Sequence, residues 1–297
     1  MKLVFTICRE TINEFFEDKC MRLAAALAYY SIFSIAPLLL IMISVVGLIY
    51  GPDAVRGELE EQIAGTVGPE SAKVVQSMLA STAKEGSSWL AVGVGTATLL
   101  FGASGVFGQL KDALNTVWNI QLKPKRGWKG LVKDRFLSFS MILVVGFLLL
   151  SAMVISAALS AASKFLGSAM PIPSETWKIL DLSISFVVVT FLFAMIFKIL
   201  PDAYIRWRDV WSGAGVTAFL FTFGKFGLGM YLGRAGAIST YGAAGSFVLI
   251  LLWIYYSSLI LLLGAEFTQV QARLRGKRIR PKPYAEFMRN CRRLGAG

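Results

Sequence analysis

Long uncharged segments alternate along this chain with shorter polar and basic ones. In the first of them, no charged residue lies between Arg22 and Asp53. About 20 apolar residues in a helix already span the ~30 Å hydrocarbon core of a bilayer. The segment is rich in small and hydroxyl residues before Pro37 and in large aliphatic residues after it. Because small and hydroxyl residues let membrane helices approach closely, this pattern predicts the central helix of a bundle.

Uncharged segments of this kind recur, and together they predict an all-α fold, a polytopic membrane helix bundle. The apolar residues fall in blocks rather than at amphipathic spacing, which is typical of membrane helices. We expect a transmembrane domain over residues 1–275 and a basic cytoplasmic tail over residues 276–297. Six transmembrane helices are predicted in that domain, at residues 23–50, 89–107, 136–162, 179–200, 210–231 and 246–266.

Two polar segments flank the first predicted span. Residues 1–22 carry Phe5, Cys8, Ile12, Phe15, Phe16 and Lys19 at helical spacing. This pattern predicts an amphipathic helix at the membrane surface, with an ordinary soluble lead-in as the alternative. Residues 51–88 form a sizeable insert with more acidic than basic residues. We expect a small helical outer loop there, with short amphipathic helices that cap the bundle.

The composition agrees with a membrane protein and suggests its orientation. Hydrophobic residues make up 56% of the chain and charged residues 16%, against about 25% charged in soluble domains. The net charge of +12 would suggest a nucleic-acid partner in a soluble protein, but cytoplasmic loops of membrane proteins also collect Lys and Arg. Most of the 30 Lys and Arg lie in residues 1–22, 108–135, 198–209 and 265–297. This split predicts that both termini lie in the cytoplasm.

The same basic segments predict the partners of the chain. Residues 273–282, directly after the last predicted span, are strongly basic. Next to a membrane, such a segment contacts anionic lipid headgroups. We therefore expect membrane lipids as partners and no nucleic acid.

Several kinds of chemistry have no residues to support them. The chain contains no histidine, which removes the commonest general base and the histidine-containing zinc sites. Its cysteines, Cys8, Cys20 and Cys291, are odd in number and have no metal-ligand spacing. No P-loop pattern is present. We expect no catalytic residues, no metal and no cofactor, and therefore not an enzyme.

Lys225 is the charged residue that the predicted fifth span contains. Ionisable residues inside the membrane are candidate functional residues. Lys225 either faces a polar cavity and binds an anionic group, or extends its long side chain to the interface. The glycines around it allow two interpretations, a broken helix beside a substrate site or close packing by small residues. These glycines are Gly224, Gly227, Gly229 and Gly233.

Four further residues complete the predicted substrate-binding set. Glu266 ends the sixth predicted span, either as a gate or proton carrier or as an interface residue paired with a nearby arginine. Tyr29, Tyr30 and Ser34 lie in the first span, either along a polar cavity or in hydrogen bonds between helices. The predicted set is thus Lys225, Tyr29, Tyr30, Ser34 and Glu266.

Several segments of the chain resemble motifs of a known family. Ala25-Ala-Leu-Ala-Tyr-Tyr-Ser-Ile-Phe-Ser-Ile-Ala-Pro37-Leu-Leu-Leu is similar to the first-helix signature of the YihY/BrkB family of bacterial inner-membrane proteins. Tyr241-Gly-Ala-Ala-Gly-Ser, with Leu251-Leu-Trp-Ile-Tyr and Leu262-Leu-Gly-Ala-Glu266, is similar to its last-helix signature. Leu200-Pro201-Asp202 and Trp211-Ser-Gly-Ala match its fourth and fifth helices, so that the resemblance covers about residues 15–272.

The resemblance implies six spans with both termini inside, in agreement with the charge distribution. The function of the family is poorly settled. An older label, a tRNA-processing ribonuclease, is regarded as a misassignment, and a chain without histidine does not support it. Other members are linked to virulence, serum resistance and the export of lipid or lipopolysaccharide precursors, which by analogy favours a transport or envelope role.

Two functions follow as expectations. The first is a transporter or flippase-like carrier of an anionic lipid or small anionic solute. Lys225 would meet the anionic group, and Tyr29, Tyr30 and Ser34 would line the path. The second is a non-catalytic scaffold or envelope-integrity protein whose outer loop, residues 51–88, binds an envelope protein partner.

Overall fold

The computed structural model describes residues 2–34, 56–57, 60, 64, 72–77, 105–123, 174–234, 238–276 and 279–288. The predicted span at residues 136–162 lies outside these residues, as do most of the outer loop and most of the second span. Helices make up most of the part that is described, as the all-α prediction requires.

Two helices joined by a tight turn begin the chain. Helix α1 covers Lys2–Glu17 and helix α2 covers residues 20–34. Between them Lys19 has a φ of 54°, a left-handed conformation that interrupts a right-handed helix. A bond of 3.1 Å from the Lys19 N–H to the Phe16 carbonyl closes the turn. The chain therefore enters α2 as a new helix rather than as a continuation of α1.

Shorter elements follow. Helix α3 covers residues 72–77 and helix α4 residues 105–117. α4 stops before Asn119, whose φ is 56°; asparagine is among the residues that tolerate this left-handed conformation. Strand β1, Ile120–Leu122, comes directly after it.

Three long helices form most of the described bundle. They are α5, Ser174–Ile199, α6, Trp207–Arg234, and α7, Ile238–Leu274. α5 packs on α6, α6 packs on α7, and α1 packs on α7 as well. At about 1.5 Å rise per residue, the 37 residues of α7 extend over about 55 Å, more than the core of a bilayer.

The structure of α6 and α7 corrects two predictions. α6 is continuous through Gly224 and on to Arg234, so the broken helix considered beside Lys225 is absent. In a membrane, backbone groups must be paired within the helix, which favours continuity despite the low helix propensity of glycine. The helix of the sixth predicted span is longer than residues 246–266, because α7 already begins at Ile238.

Two segments of the described helices are long and apolar enough to cross a membrane. They are Leu182–Ile199 in α5 and Phe247–Leu274 in α7, with 22% and 28% of their residues buried inside the protein. A core helix of a soluble protein would be mostly buried, so these low fractions agree with lipid around both helices. The number of six spans stays a prediction.

Short strands, which the sequence analysis did not predict, connect distant parts of the chain. Strand β2, Ala203–Tyr204, pairs antiparallel with β3, Arg280–Pro281. Strand β1 pairs antiparallel with β4, Ala285–Phe287. Residues 279–288, placed by prediction in a plain basic tail, therefore hold both the end of α4 and the loop between α5 and α6. We call residues 279–288 the C-terminal clamp.

Asp202 joins the three elements that meet at the clamp. Its carboxylate is 1% exposed and lies 2.9 Å from Lys111 Nζ of α4. It also accepts hydrogen bonds from Asn115 Nδ2, at 3.1 Å, and from the Tyr284 hydroxyl, at 3.0 Å. The Lys282 N–H donates to the Asp202 carbonyl at 2.9 Å. The cost of burying this carboxylate is thus offset by one cation and two neutral donors.

The main buried apolar cluster lies at the same end of the bundle. It combines side chains of α2, α4, α5, α6, α7, β1, the α5–α6 loop and the clamp, among them Cys20, Leu114, Trp118, Phe197, Val210, Leu262 and Ala285. We call this the clamp end of the bundle. A smaller cluster of Ile32, Val75 and Ile250 joins α2, α3 and α7 further along.

Candidate functional site

Two of the three residues predicted in the first span, Tyr30 and Ser34, lie at a contact between α2 and α4. A Cβ on Gly105 of α4 would lie 3.7 Å from Tyr30 Cδ1 and 4.0 Å from Ser34 Oγ. Ser34 is buried, whereas Tyr29 is 61% exposed and Tyr30 45% exposed. Ser34 therefore lies between α2 and α4, whereas the rings of Tyr29 and Tyr30 are exposed along α2.

Lys225 lies on the outside of α6. Its side chain is exposed, and its neighbour Gly224 packs against the Tyr256 hydroxyl of α7. This contact sets Lys225 level with the residue before Tyr256. At about 1.5 Å rise per residue, that level is about 16 Å along α7 from Glu266. Lys225 and Glu266 therefore do not belong to one site.

Glu266 is the predicted residue that the structure builds into a buried site. Its side chain is 0% exposed, on the face of α7 that meets the first two helices. Cys20 of α2, also 0% exposed, donates its thiol hydrogen to Glu266 Oε1 at 3.4 Å. Burial raises the pKa of the Cys20 thiol, and the negative charge of Glu266 acts in the same direction. The thiol therefore remains protonated and is available as a donor.

Asp18 brings a second carboxyl group to this site. It lies in the turn after α1, within hydrogen-bonding range of the carboxyl group of Glu266. Burial and, after it, the neighbouring charge of Glu14 raise the pKa of Asp18 from 3.8 to about 6. Asp18 Oδ2 and Glu266 Oε2 are both buried and accept no hydrogen bond. The site thus contains two adjacent carboxyl groups, each with an oxygen that lacks a donor.

Arg273 fixes α1 in place beside the site. Its guanidinium lies 2.5 Å from Glu14 Oε1 and 3.1 Å from Glu10 Oε2. Each of its two terminal nitrogens thus bonds a different carboxylate of α1, so the contact ties α7 to α1 at two points. The positive charge of Arg273 is paired with Glu10 and Glu14. No described ion pair brings a Lys or Arg to Asp18 or Glu266. The sequence allowed a nearby arginine as the partner of Glu266, but Arg273 pairs with two glutamates of α1 instead.

Asp18 and Cys20 were not among the site residues predicted from the sequence. Most of the stripe that predicted a surface helix lies on the exposed face of α1, where Phe5, Ile12 and Phe16 are each more than half exposed, whereas Phe15 packs against the main buried cluster. The opposite face carries Ile7 and Thr11, which are buried, at helical spacing from Glu14 and Asp18. That second spacing was the available signal, and it places acidic groups on the buried face of α1.

Glycine and threonine bring α6 and α7 into backbone contact close to the site. A Cβ on Gly213 would lie 1.6 Å from Thr268 Oγ1, and a Cβ on Gly264 would lie 1.7 Å from Thr217 Oγ1. Both threonine hydroxyls donate to a carbonyl one turn earlier in their own helix, at 2.7 Å. Polar groups are thus satisfied within each helix, and Glu266 sits on a helix that cannot shift freely.

The site does not have the composition of a metal centre. In the part of the chain that the structure describes, His, Cys, Asp and Glu side chains form no group of three or more that could hold a metal ion. What the arrangement offers chemically is proton exchange between two carboxyl groups beside a thiol donor.

Comparison with known proteins places nearly the whole chain in one family. Residues 11–288 match the family model described as virulence factor BrkB. The chain is similar to a UPF0761 membrane protein of Halorhodospira halophila, with 28% identity over 89% of this chain and 56% of that protein. A UPF0761 membrane protein of Nitrosospira multiformis is 28% identical over 95% of this chain and 65% of that protein. For a relative from Tolumonas auensis the identity is 28%, over 89% and 86%.

The first two of these relatives are longer than this chain, which spans less than two thirds of their length. No solved structure matches the chain significantly.

Proposed function

This chain belongs to the virulence factor BrkB family of membrane proteins, and on that premise we propose that it is a carrier in the bacterial inner membrane. Its cargo is an anionic lipid or a small anionic solute. The proposal includes six spans with both termini in the cytoplasm, as the distribution of Lys and Arg predicts.

The observation that carries the proposal is the fully buried carboxyl group of Glu266 within the candidate span Phe247–Leu274. Removing a charged group from water costs several kcal/mol unless it is well paired. Ionisable residues inside membrane helices are rare and commonly mark ion or substrate pathways. A helix with a structural role alone would pack as well with an apolar side chain at this position, whereas a carrier uses the carboxyl group.

The two ionisable residues of α6 and α7 take different roles in this proposal. A carboxylate repels an anion, so Glu266 acts as a gate or proton carrier and not as a ligand of the cargo. Lys225 is exposed on α6 and supplies the positive charge that an anionic group needs. The exposed rings of Tyr29 and Tyr30 border the path along α2, while Ser34 fixes the neighbouring helix.

Reconstitution of the purified protein in vesicles tests the proposal. One set of vesicles contains labelled phosphatidylglycerol and reports lipid movement between leaflets, and another contains labelled phosphate and reports solute flux. We expect one of the two rates to exceed that of protein-free vesicles. Lys225→Met, which keeps the length of the side chain without its charge, should lower that rate, and Lys225→Arg should retain it.

Two results would count against this function. Rates equal to those of protein-free vesicles in both assays would show that the protein carries neither of these two anions. Equal rates for Lys225→Met and the parent protein would remove Lys225 from the path. Mass spectrometry of lipids that co-purify with both proteins adds an independent measure, because a lipid carrier should enrich one anionic lipid and lose it in Lys225→Met.

A further inference from the structure

The carboxyl pair of Asp18 and Glu266 lacks hydrogen-bond donors. Glu266 Oε1 accepts from the Cys20 thiol, but Glu266 Oε2 and Asp18 Oδ2 are buried without any donor. Buried polar atoms in folded proteins nearly always have a hydrogen-bond partner. Both orphan oxygens belong to carboxyl groups that lie within hydrogen-bonding range of each other. One proton held between the two groups would supply the missing donor to both.

The charges around the pair favour such a proton. From α1, Glu14 and Glu17 add negative charge beside Asp18. From α2, the neighbouring titratable group is the Cys20 thiol, which is neutral. From α7, Arg273 is bound to Glu10 and Glu14. Two adjacent carboxylates in a site with little water cannot both ionise easily, and no described contact brings a cation that would help them to do so.

We propose that Asp18 and Glu266 form a proton-binding site, which holds one proton between Asp18 Oδ2 and Glu266 Oε2 where α1 meets α7. The further step, that this proton is coupled to movement of the cargo, rests on the proposed function. Binding of this proton converts a carboxylate pair with two negative charges into a hydrogen-bonded acid and carboxylate with one negative charge.

Loss of the proton has a mechanical consequence. It leaves two negative charges in contact, and their repulsion acts between the end of α1 and the C-terminal part of α7. Arg273 holds the two helices together only at Glu10 and Glu14, one to two turns before Asp18 on α1. Deprotonation therefore favours separation of α1 from α7 at the pair, which opens the clamp end of the bundle next to Glu266.

Infrared spectroscopy of the full chain in lipid tests for the proton directly. A protonated carboxyl group has a C=O stretch distinct from that of a carboxylate. We expect the wild-type protein to show this band at pH 7 and to lose it when the pH is raised further. Glu266→Gln should abolish the band at pH 7, because an amide donor then satisfies Asp18 and lets it ionise. Asp18→Asn should shift the pH midpoint of the band.

Glu286→Gln is the matched control. Glu286 Oε1 already accepts a hydrogen bond of 3.1 Å from Gln121 Nε2, so this carboxylate has no missing donor at that atom, and its replacement should leave the band unchanged. Low reactivity of the buried Cys20, compared with the exposed Cys8, verifies that each variant is folded. If Glu266→Gln does not fold, the wild-type titration and Asp18→Asn still decide the question.

Three results would overturn the proposal. They are the absence of the band in the wild-type protein at pH 7, its persistence in folded Glu266→Gln, and an unchanged midpoint in Asp18→Asn. These results do not depend on transport, so the proton site and the proposed function can fail separately. Cargo flux that responds to a pH gradient in the wild-type protein but not in Glu266→Gln would support coupling of the proton to cargo movement. Wild-type flux that does not change with the gradient would contradict this coupling.

Discussion

A single proton decides the charge at the contact between α1 and α7. Cys20 and Glu266 are 246 positions apart in the chain, and Asp18 reaches the same site from the turn before α2. A proton bound there is therefore felt by two helices that the chain connects only through the whole bundle. This makes the turn after α1 a part of the molecule that should respond to pH.

Stability should depend on pH through Asp18. Burial and, after it, the charge of Glu14 raise the pKa of Asp18 from 3.8 to about 6 in the folded protein, so the folded state binds this proton more tightly than the unfolded state. Its contribution to the free energy of unfolding is then largest below pH 4 and decreases as the pH rises from about 4 to about 6. Thermal unfolding in detergent across this range should show the decrease, and Asp18→Asn should flatten it.

Glu286→Gln again serves as the control, since it should keep the slope of the wild-type protein between pH 4 and 6. Identical slopes for Asp18→Asn and the wild-type protein would show that the Asp18 proton does not stabilise the fold.

Sequence reasoning found one half of the carboxyl pair and missed the other. Glu266 could be predicted because a carboxylate at the end of an apolar segment is conspicuous. Asp18 lies among six other charged residues within residues 9–22, where an acidic side chain is ordinary. Its helical spacing from Ile7 and Thr11 places it on the buried face of α1, but its proximity to Glu266 is a long-range contact that local spacing does not encode.

At the scale of helices, the contact between α6 and α7 makes a sharp prediction about glycine. Gly264→Ala places a Cβ 1.7 Å from Thr217 Oγ1 and 2.9 Å from Thr217 Cβ, so the two helices must move apart. Overpacking of this kind costs about 1–3 kcal/mol. We expect a lower thermal midpoint in detergent for Gly264→Ala, and the same for Gly213→Ala, which meets Thr268 in the same way.

Gly215→Ala is the matched control, because it lies two residues from Gly213 and a Cβ there meets nothing within 4 Å. Alanine is the better helix former by up to about 1 kcal/mol, so Gly215→Ala should leave the midpoint unchanged or raise it. Equal losses for all three variants would mean that glycine acts through something other than this contact.

Helices and strands differ in how far the sequence predicts them. The fourth predicted span lies within α5 except for Leu200, and the sixth lies within α7, because blocks of apolar residues and the stop before Pro201 are local signals. The strands β3 and β4 have two and three residues in a basic segment with no alternation. They form because β1 and β2 supply partners from elsewhere, so no local pattern predicts them.

At the scale of the molecule, the C-terminal clamp should decide whether the loop between α5 and α6 stays closed. A chain that ends at residue 278 lacks the partner strands of β1 and β2, and Asp202 loses the Tyr284 hydroxyl. We expect this shortened chain to be cleaved faster by trypsin after Arg206 and to unfold at a lower temperature. A chain that ends at residue 288 keeps the clamp and should resist trypsin like the full chain. Equal cleavage of both would show that the clamp does not close the loop.

The orientation of the whole molecule is testable with Cys8, and the structure shows why Cys20 is the wrong reporter. Cys20 is buried and would stay unlabelled on either side of the membrane, whereas Cys8 is exposed. With Cys291 replaced by Ser, an impermeant thiol reagent on intact cells should leave Cys8 unlabelled, and a permeant one should label it. Ser77→Cys in a Cys8→Ser background, exposed on α3 in the predicted outer loop, should react with the impermeant reagent. Labelling of Cys8 from outside would reverse the orientation. If Cys8 and the cysteine introduced at position 77 lie on the same side, an odd number of spans cannot separate them, and the first predicted span, residues 23–50, would be wrong.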